Sequence, residues 1–181
     1  MISSIVLAIS YISQQIEYNN LQTQCRGSSS GKSLVIESSR CNGVQYTSFI
    51  PTSRFELIKI GNDSFMNVDT FNIDGLNELK SLKIGMNSFT HFKSYDKWDP
   101  NKANNTNRSF QILNCTELES IEIGLYSFSD YGGEFELKNL PKLSIIKIGE
   151  IRSSSRNFYY SSFVIKGIID INIDNEQIFL I

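Results

Sequence analysis

Apolar residues recur along most of this chain in a short, fixed cadence. Four segments share it: Phe55-Glu-Leu-Ile-Lys-Ile-Gly61, Leu79-Lys-Ser-Leu-Lys-Ile-Gly85, Leu118-Glu-Ser-Ile-Glu-Ile-Gly124 and Leu143-Ser-Ile-Ile-Lys-Ile-Gly149. In each, the last two apolar residues flank a charged one, the period-2 alternation of a half-buried strand. Three of the four run on as Gly-x-x-Ser-Phe, ending at Phe65, Phe89 and Phe128. A second alternating motif appears as Phe71-Asn-Ile73, Phe110-Gln-Ile112, Phe135-Glu-Leu137 and Phe163-Val-Ile165, with starts 39, 25 and 28 residues apart. The basic unit is therefore about 25 residues, within the range of solenoid repeats.

One such unit cannot bury its own apolar column, so units of this kind stack. The predicted fold is mainly β: a leucine-rich-repeat-like β-solenoid of about four coils between residues 47 and 165. Leu118, Ile121 and Ile123 are expected to stack on Leu79, Leu82 and Ile84, and on Leu143, Ile146 and Ile148. Two columns mark the turns. Gly61, Gly85, Gly124 and Gly149 follow the strand, where a turn with positive φ is expected. Gly75, Asn114, Asn139 and Gly167 mark the other turn, and Gly and Asn best tolerate the left-handed region.

The organisation predicted is an N-terminal segment, 1–46, followed by the solenoid, 47–181. Ile2, Ile5, Ile9, Ile12 and Ile16 lie on one face of a helix. They read either as a capping helix or as a weak secretory signal without the usual basic start. Gly27-Ser-Ser-Ser-Gly31-Lys32-Ser33 resembles a phosphate-binding loop, but it is one residue short between its glycines. Leu34-Val-Ile36 after it reads as a strand, where phosphate binding needs a helix N-terminus. A Ser/Gly linker is the expectation. At the other end, Ile178-Phe-Leu-Ile181 implies a folded-back cap or a longer array cut short.

The stretch Asn114-Cys115-Thr-Glu-Leu118-Glu-Ser-Ile121-Glu-Ile123, with Ser127-Phe128 after it, resembles the divergent leucine-rich repeats of the BspA-like class. That class occurs in bacterial and protist surface proteins. The likeness covers roughly residues 47 to 165. It departs from the family in placing Gly where a proline usually follows the strand, and in its variable coil length. The resemblance implies an adhesion or interaction module at the cell surface or secreted, with a protein or glycan partner. It implies no catalytic residues, cofactor or metal.

Composition narrows the partners. Ala is nearly absent while Phe, Tyr and Ile are abundant, which favours strands over helices. A net charge of −2 gives no electrostatic basis for nucleic acid. No stretch reaches the ~20 apolar residues of a membrane span. Cys25, Cys41 and Cys115 match no zinc or redox spacing. A Cys25–Cys41 disulfide fits a secreted chain, whereas an odd count without a framework points to free thiols.

His91, the sole histidine, has no nucleophile motif beside it. Asp63, Asp74 and Asp130 fall at different coil positions, so they do not form the converging carboxylates of a carbohydrate-active β-helix. Glu119 and Glu122 project outward with Lys80 and Lys83 on one side and Lys147 on the other, and they read as cross-strand pairs. With Glu56 and Lys59 they give the strand face a mixed-charge surface, the leading candidate for partner contact. The insertion from Lys93 to Thr106 adds Tyr95 and Trp98, residue types common at binding hot spots. Sequons at Asn62, Asn104, Asn107 and Asn114 are about as many as chance supplies in a chain rich in Asn, Ser and Thr. The function expected is a non-catalytic interaction module. The alternatives are a carbohydrate-active β-helix enzyme, or a piece of a longer array with no separate role.

Overall fold

The computed structural model describes residues 28–30, 32–51, 54–150 and 155–168. Within them the chain crosses back and forth between two sheets, β1 (Ser28–Ser30), β2 (Ser33–Ile36), β4 (Leu57–Ile60), β6 (Ser81–Ile84), β8 (Ser120–Ile123) and β10 (Ile145–Ile148) forming one. The other sheet is β3 (Ser48–Phe49), β5 (Thr70–Asp74), β7 (Ser109–Leu113), β9 (Glu134–Lys138) and β11 (Ser162–Lys166). Every pairing is parallel except that of β1 with β2. The result is a β-solenoid of about five turns.

Register follows the apolar alternation. Ile58, Leu82, Ile121 and Ile146 stand in one row, and Ile60, Ile84, Ile123 and Ile148 in the next. A slip of one residue would turn both rows to solvent. Leu79, Leu118 and Leu143 are buried beside them, as the repeat predicts. On the opposite sheet Phe71 stacks between Phe49 and Phe110 at 5.1 and 4.6 Å, and Phe110 lies 5.0 Å from Phe135. The Gly-x-x-Ser-Phe rings, continued by Phe158, form a second stack, Phe65–Phe89–Phe128–Phe158, at 5.0, 4.8 and 4.9 Å. The two stacks meet edge to face, the preferred aromatic geometry.

Four expectations need correction. First, Gly61, Gly85 and Gly124 do not have positive φ; of that column only Gly149 does, at 73°. They are glycine because neighbouring coils touch there: a Cβ on Gly124 would lie 2.6 Å from the Met86 nitrogen. The left-handed residues sit two and four positions later, in the pairs Asp63 and Phe65, Asn87 and Phe89, Tyr126 and Phe128. The serine between each pair spans coils. Ser64 and Ser127 accept from the amides of Arg40 and Ser88, at 3.2 and 3.0 Å, and Ser127 donates to the Gly85 carbonyl at 2.6 Å. The other turn column behaves as predicted, with φ of 69°, 54°, 54° and 67° at Gly75, Asn114, Asn139 and Gly167.

Second, the array starts before residue 47, because β2 pairs with β4 through Leu34↔Ile58 and Ile36↔Ile60. Ser39 and Cys41 there take the left-handed pair of the turn, so Cys41 stands where later coils have Phe. Third, the Ser28–Ser30 part of the expected linker is a strand, hydrogen-bonded back onto β2. Fourth, Cys41 is disulfide-bonded rather than a free thiol. The capping-helix and signal-peptide readings, Cys25, and the fold-back or truncation reading of the last residues all lie outside the described residues. β11 is the last described strand of its sheet, and Phe163 and Ile165 on it remain 38% and 39% exposed.

Cys115 is the free cysteine among the described residues. It occupies the apolar position held by Leu76 and Leu140 in adjoining coils and is wholly buried. Burial pushes its thiol up to about 11. At pH 8 its native-state alkylation should therefore run at least about two orders of magnitude slower than that of a solvated cysteine. Mass-spectrometric labelling with iodoacetamide should find Cys115 unmodified until urea unfolds the chain; labelling at the rate of a free thiol would contradict the placement.

Candidate functional site

The mixed-charge face lies on the six-stranded sheet, where the outward positions form in-register rows. Lys59, Lys83, Glu122 and Lys147 make one row across β4, β6, β8 and β10. Lys83 and Glu122 are paired at 2.9 Å, one of the cross-strand contacts expected from sequence. Lys59 and Lys147 have no ion-pair partner among the described residues. In the adjoining row Glu56 bridges Lys32 and Lys80, each at 2.8 Å, and their hydrogen bonds lower its carboxyl to about 2. Lys80 is thus turned to Glu56 and away from Glu119, which makes no ion pair among the described residues.

A groove of about 460 Å³ runs beside the Lys59 row, lined by the glycine column with Ser38 and Asn62 on its far side. Its floor is bare because no side chain fits where the coils touch. The floor is also saturated with hydrogen bonds. The amides of Gly61, Gly85, Gly124 and Gly149 donate to Ile36, Ile60, Ile84 and Ile123, while the carbonyls of Gly61, Gly85 and Gly124 accept from Ser88, Ser127 and Asn157. Recognition there falls to the lysines and to shape.

The insertion lies on the turn that follows the six-stranded sheet and carries the one-turn helix α1 (Pro100–Ala103), capped by Asp99. Along the sheet, register partners Ser33, Leu57, Ser81, Ser120 and Ile145 are 24, 24, 39 and 25 residues apart, so the long coil is the one holding the insertion. Tyr95 is 72% exposed. Trp98 is half-buried against Phe92, Tyr159 and Tyr160, with the Arg156 guanidinium 4.4 Å over its ring. Trp98 therefore ties the insertion to the last described coil, and Tyr95 is the aromatic side chain left to solvent.

Beneath the insertion is a polar cluster that spans three coils. Asn67, His91 and Asp130 occupy the same position, two residues past the turn Phe in successive coils. His91 Nε2 lies 3.0 Å from Asn67 Oδ1, and Nδ1 lies 3.1 Å from Asp130 Oδ2. Arg108, fully buried, reaches the same carboxylate through Nη1 and donates to the carbonyls of Met66 and Val68 at 2.7 and 2.6 Å. Its Nε lies 3.2 Å from Asp69 Oδ1, and its guanidinium covers the Tyr131 ring at 4.9 Å. Burial works to raise the Asp130 carboxyl, but hydrogen bonds from His91 and the charge of Arg108 outweigh it and hold the group below its ordinary value.

An Asp–His pair is two members of a hydrolytic triad. The nucleophile's place, at Nε2, is taken by the Asn67 amide oxygen, whose own amide nitrogen is anchored to the Asn42 carbonyl at 2.8 Å. A carboxyl kept ionised and closed off by Arg108 is also a poor general acid for glycoside cleavage. Asp63 is held by Lys93 at 3.1 Å and Asp74 by Asn114 at 2.8 Å, each away from this cluster's partners. Among the described residues no group of three or more His, Cys, Asp or Glu could hold a metal ion. The cluster is built to lock the long coil to its neighbours.

Sequence inspection missed Arg108, Tyr131, Asn67 and Asp69, though part of the signal was there. Extending the repeat two residues beyond Ser-Phe aligns Asn67, His91 and Asp130, while the residue before each second-sheet strand aligns Asp69 with Arg108. No protein-family model, characterised protein or solved structure matches the chain. Among the described residues no helix is long and apolar enough to cross a membrane.

Proposed function

We propose that this protein is a non-catalytic interaction module, a leucine-rich-repeat-like solenoid akin to the BspA-like class, that meets its partner with the outer face of the six-stranded sheet. The observation that carries this reading is the in-register row Lys59–Lys83–Glu122–Lys147, in which two exposed lysines have no ion-pair partner among the described residues. Parallel strands hold such side chains at fixed spacing on a rigid support, so little backbone ordering entropy is lost on binding. Glu56, Lys80 and Glu119 extend the surface, and Tyr95 on the insertion is a secondary contact. The disulfide at Cys41 fits an oxidising compartment, in line with a secreted or cell-surface role.

Site-specific photo-crosslinking tests the assignment. A photoreactive residue placed at Lys83 should form adducts with a macromolecule in extract or on cells of the source organism. The same residue at Gln111, outward on the five-stranded sheet, should not. Adducts from Gln111 and none from Lys83 would move the binding face or remove the reading altogether.

A further inference from the structure

We infer that the groove beside the Lys59 row receives an extended acidic peptide segment, with two carboxylates four residues apart; this rests on the interaction-module reading. Lys59 and Lys147 stand on β4 and β10, three strand steps apart. At about 4.8 Å per step their Cα positions are separated by roughly 14 Å. An extended chain rises about 3.4 Å per residue, so residues i and i+4 are also roughly 14 Å apart and share one face. The spacing of these two lysines thus matches acidic side chains at i and i+4.

Charge selects the sign of the ligand. Among the described residues the groove is lined by Lys59, Lys83 and Lys147 against the carboxylate of Glu122, which Lys83 already neutralises. This is a local excess of positive charge on a chain whose net charge is −2. The floor selects the ligand class. Its glycine amides and the carbonyls of Gly61, Gly85 and Gly124 are all engaged within the solenoid, so the ligand is not added as a further strand of the sheet. It lies across the strands, along the stack of coils, held by its side chains. Among the described residues its lining holds no aromatic ring on which a sugar could stack, which favours a peptide over a glycan.

Fluorescence anisotropy with the full chain tests this. The probes are a labelled Ser/Thr-rich peptide with Asp at i and i+4, versions with Asp at i and i+3 or with Asn at both sites, and labelled heparin. The i, i+4 peptide should bind about three- to tenfold more tightly than the Asn version, and the gain should shrink as salt rises. Lys59→Glu with Lys147→Glu should abolish the gain, while Lys142→Glu, whose lysine pairs with Glu117 outside the groove, should leave it intact. Among the described residues neither Lys59 nor Lys147 makes an ion pair, and unchanged thermal midpoints show that these variants still fold. Equal binding of the two spacings, or insensitivity to the double charge reversal, overturns the inference. So does heparin binding that depends on these lysines without peptide binding. If crosslinks arise at Lys83 while the acidic peptide fails, the interaction reading stands and only the acidic partner is lost.

Discussion

Replacing Arg108 with methionine is expected to cost the folded chain about 3–5 kcal/mol, the range for removing one member of a buried ion pair. Methionine keeps much of the apolar stem, so the loss isolates the guanidinium. Two kinds of partner are stranded. The Met66 carbonyl loses its donor and that of Val68 keeps only the Tyr131 hydroxyl, while the Asp130 carboxylate, 2% exposed, keeps His91 alone among the described residues against its charge. For a chain of this size the midpoint of thermal unfolding should fall by about 10–15 °C. Adding Asp130→Leu should restore much of the loss, because an uncompensated charge is then no longer buried. A double variant no better than Arg108→Met alone would show that the carbonyl contacts, not the carboxylate, carry the effect.

The same pair makes the stability of the fold depend on pH. In the native chain the Asp130 carboxyl is held below its ordinary value, so folding favours the ionised form. That contribution is fully present above the unfolded-state value, near 4, and is lost as pH falls through the lowered native value. Without Arg108 the buried carboxylate is penalised instead, and protonation relieves it. The stability gap between native chain and Arg108→Met should therefore narrow between pH 7 and about pH 3. Urea unfolding at several pH values reads this directly, and a gap that widens in acid would exclude the assignment.

Gly124→Ala should be the next most damaging change, at about 3 kcal/mol, near the top of the range for overpacking. Its Cβ would lie 2.6 and 2.7 Å from the Met86 nitrogen and the Gly85 carbonyl carbon, backbone atoms of the preceding coil that cannot turn aside. Relief requires the coils to separate where Gly124 donates to Ile84 and Ser127 to Gly85. Gly75→Ala is the control. Nothing lies within 4 Å of its Cβ, and only the φ of +69° opposes the substitution, which costs about 1 kcal/mol. Comparing the two by chemical denaturation separates close approach from backbone handedness; a loss at Gly124 no larger than at Gly75 would overturn the close-approach account of its column.

Much of the solenoid was legible because its determinants are local and repeated. Ile58, Leu82, Ile121 and Ile146 are recognisable as one row from spacing alone, since period-2 alternation leaves only one register that buries them. The Gly75, Asn114, Asn139 and Gly167 turn was readable for the same reason, because few residue types accept its backbone. The outward lysines and glutamates followed from the alternation, though not the choice Lys80 makes for Glu56 over Glu119. The first coil escaped detection because Cys41 replaces the turn Phe and Glu37 the glycine, so β2 lacks the signature of its neighbours.

Other features arise only when coils meet. A glycine required by a φ angle and one required by a neighbour's backbone look alike in sequence, and Gly124 is explained by Met86 from the coil before it. The buried cluster is similar: Val68, Arg108 and Asp130 belong to three coils, and a 39-residue turn of the chain lies between His91 and Asp130. Their contact depends on how the insertion folds back. The amino-acid sequence determines the strands, their inward faces and one turn because each needs only neighbouring residues and a repeat. The tertiary structure decides which polar groups meet across coils, because burial and distance, unlike alternation, are properties of the stack.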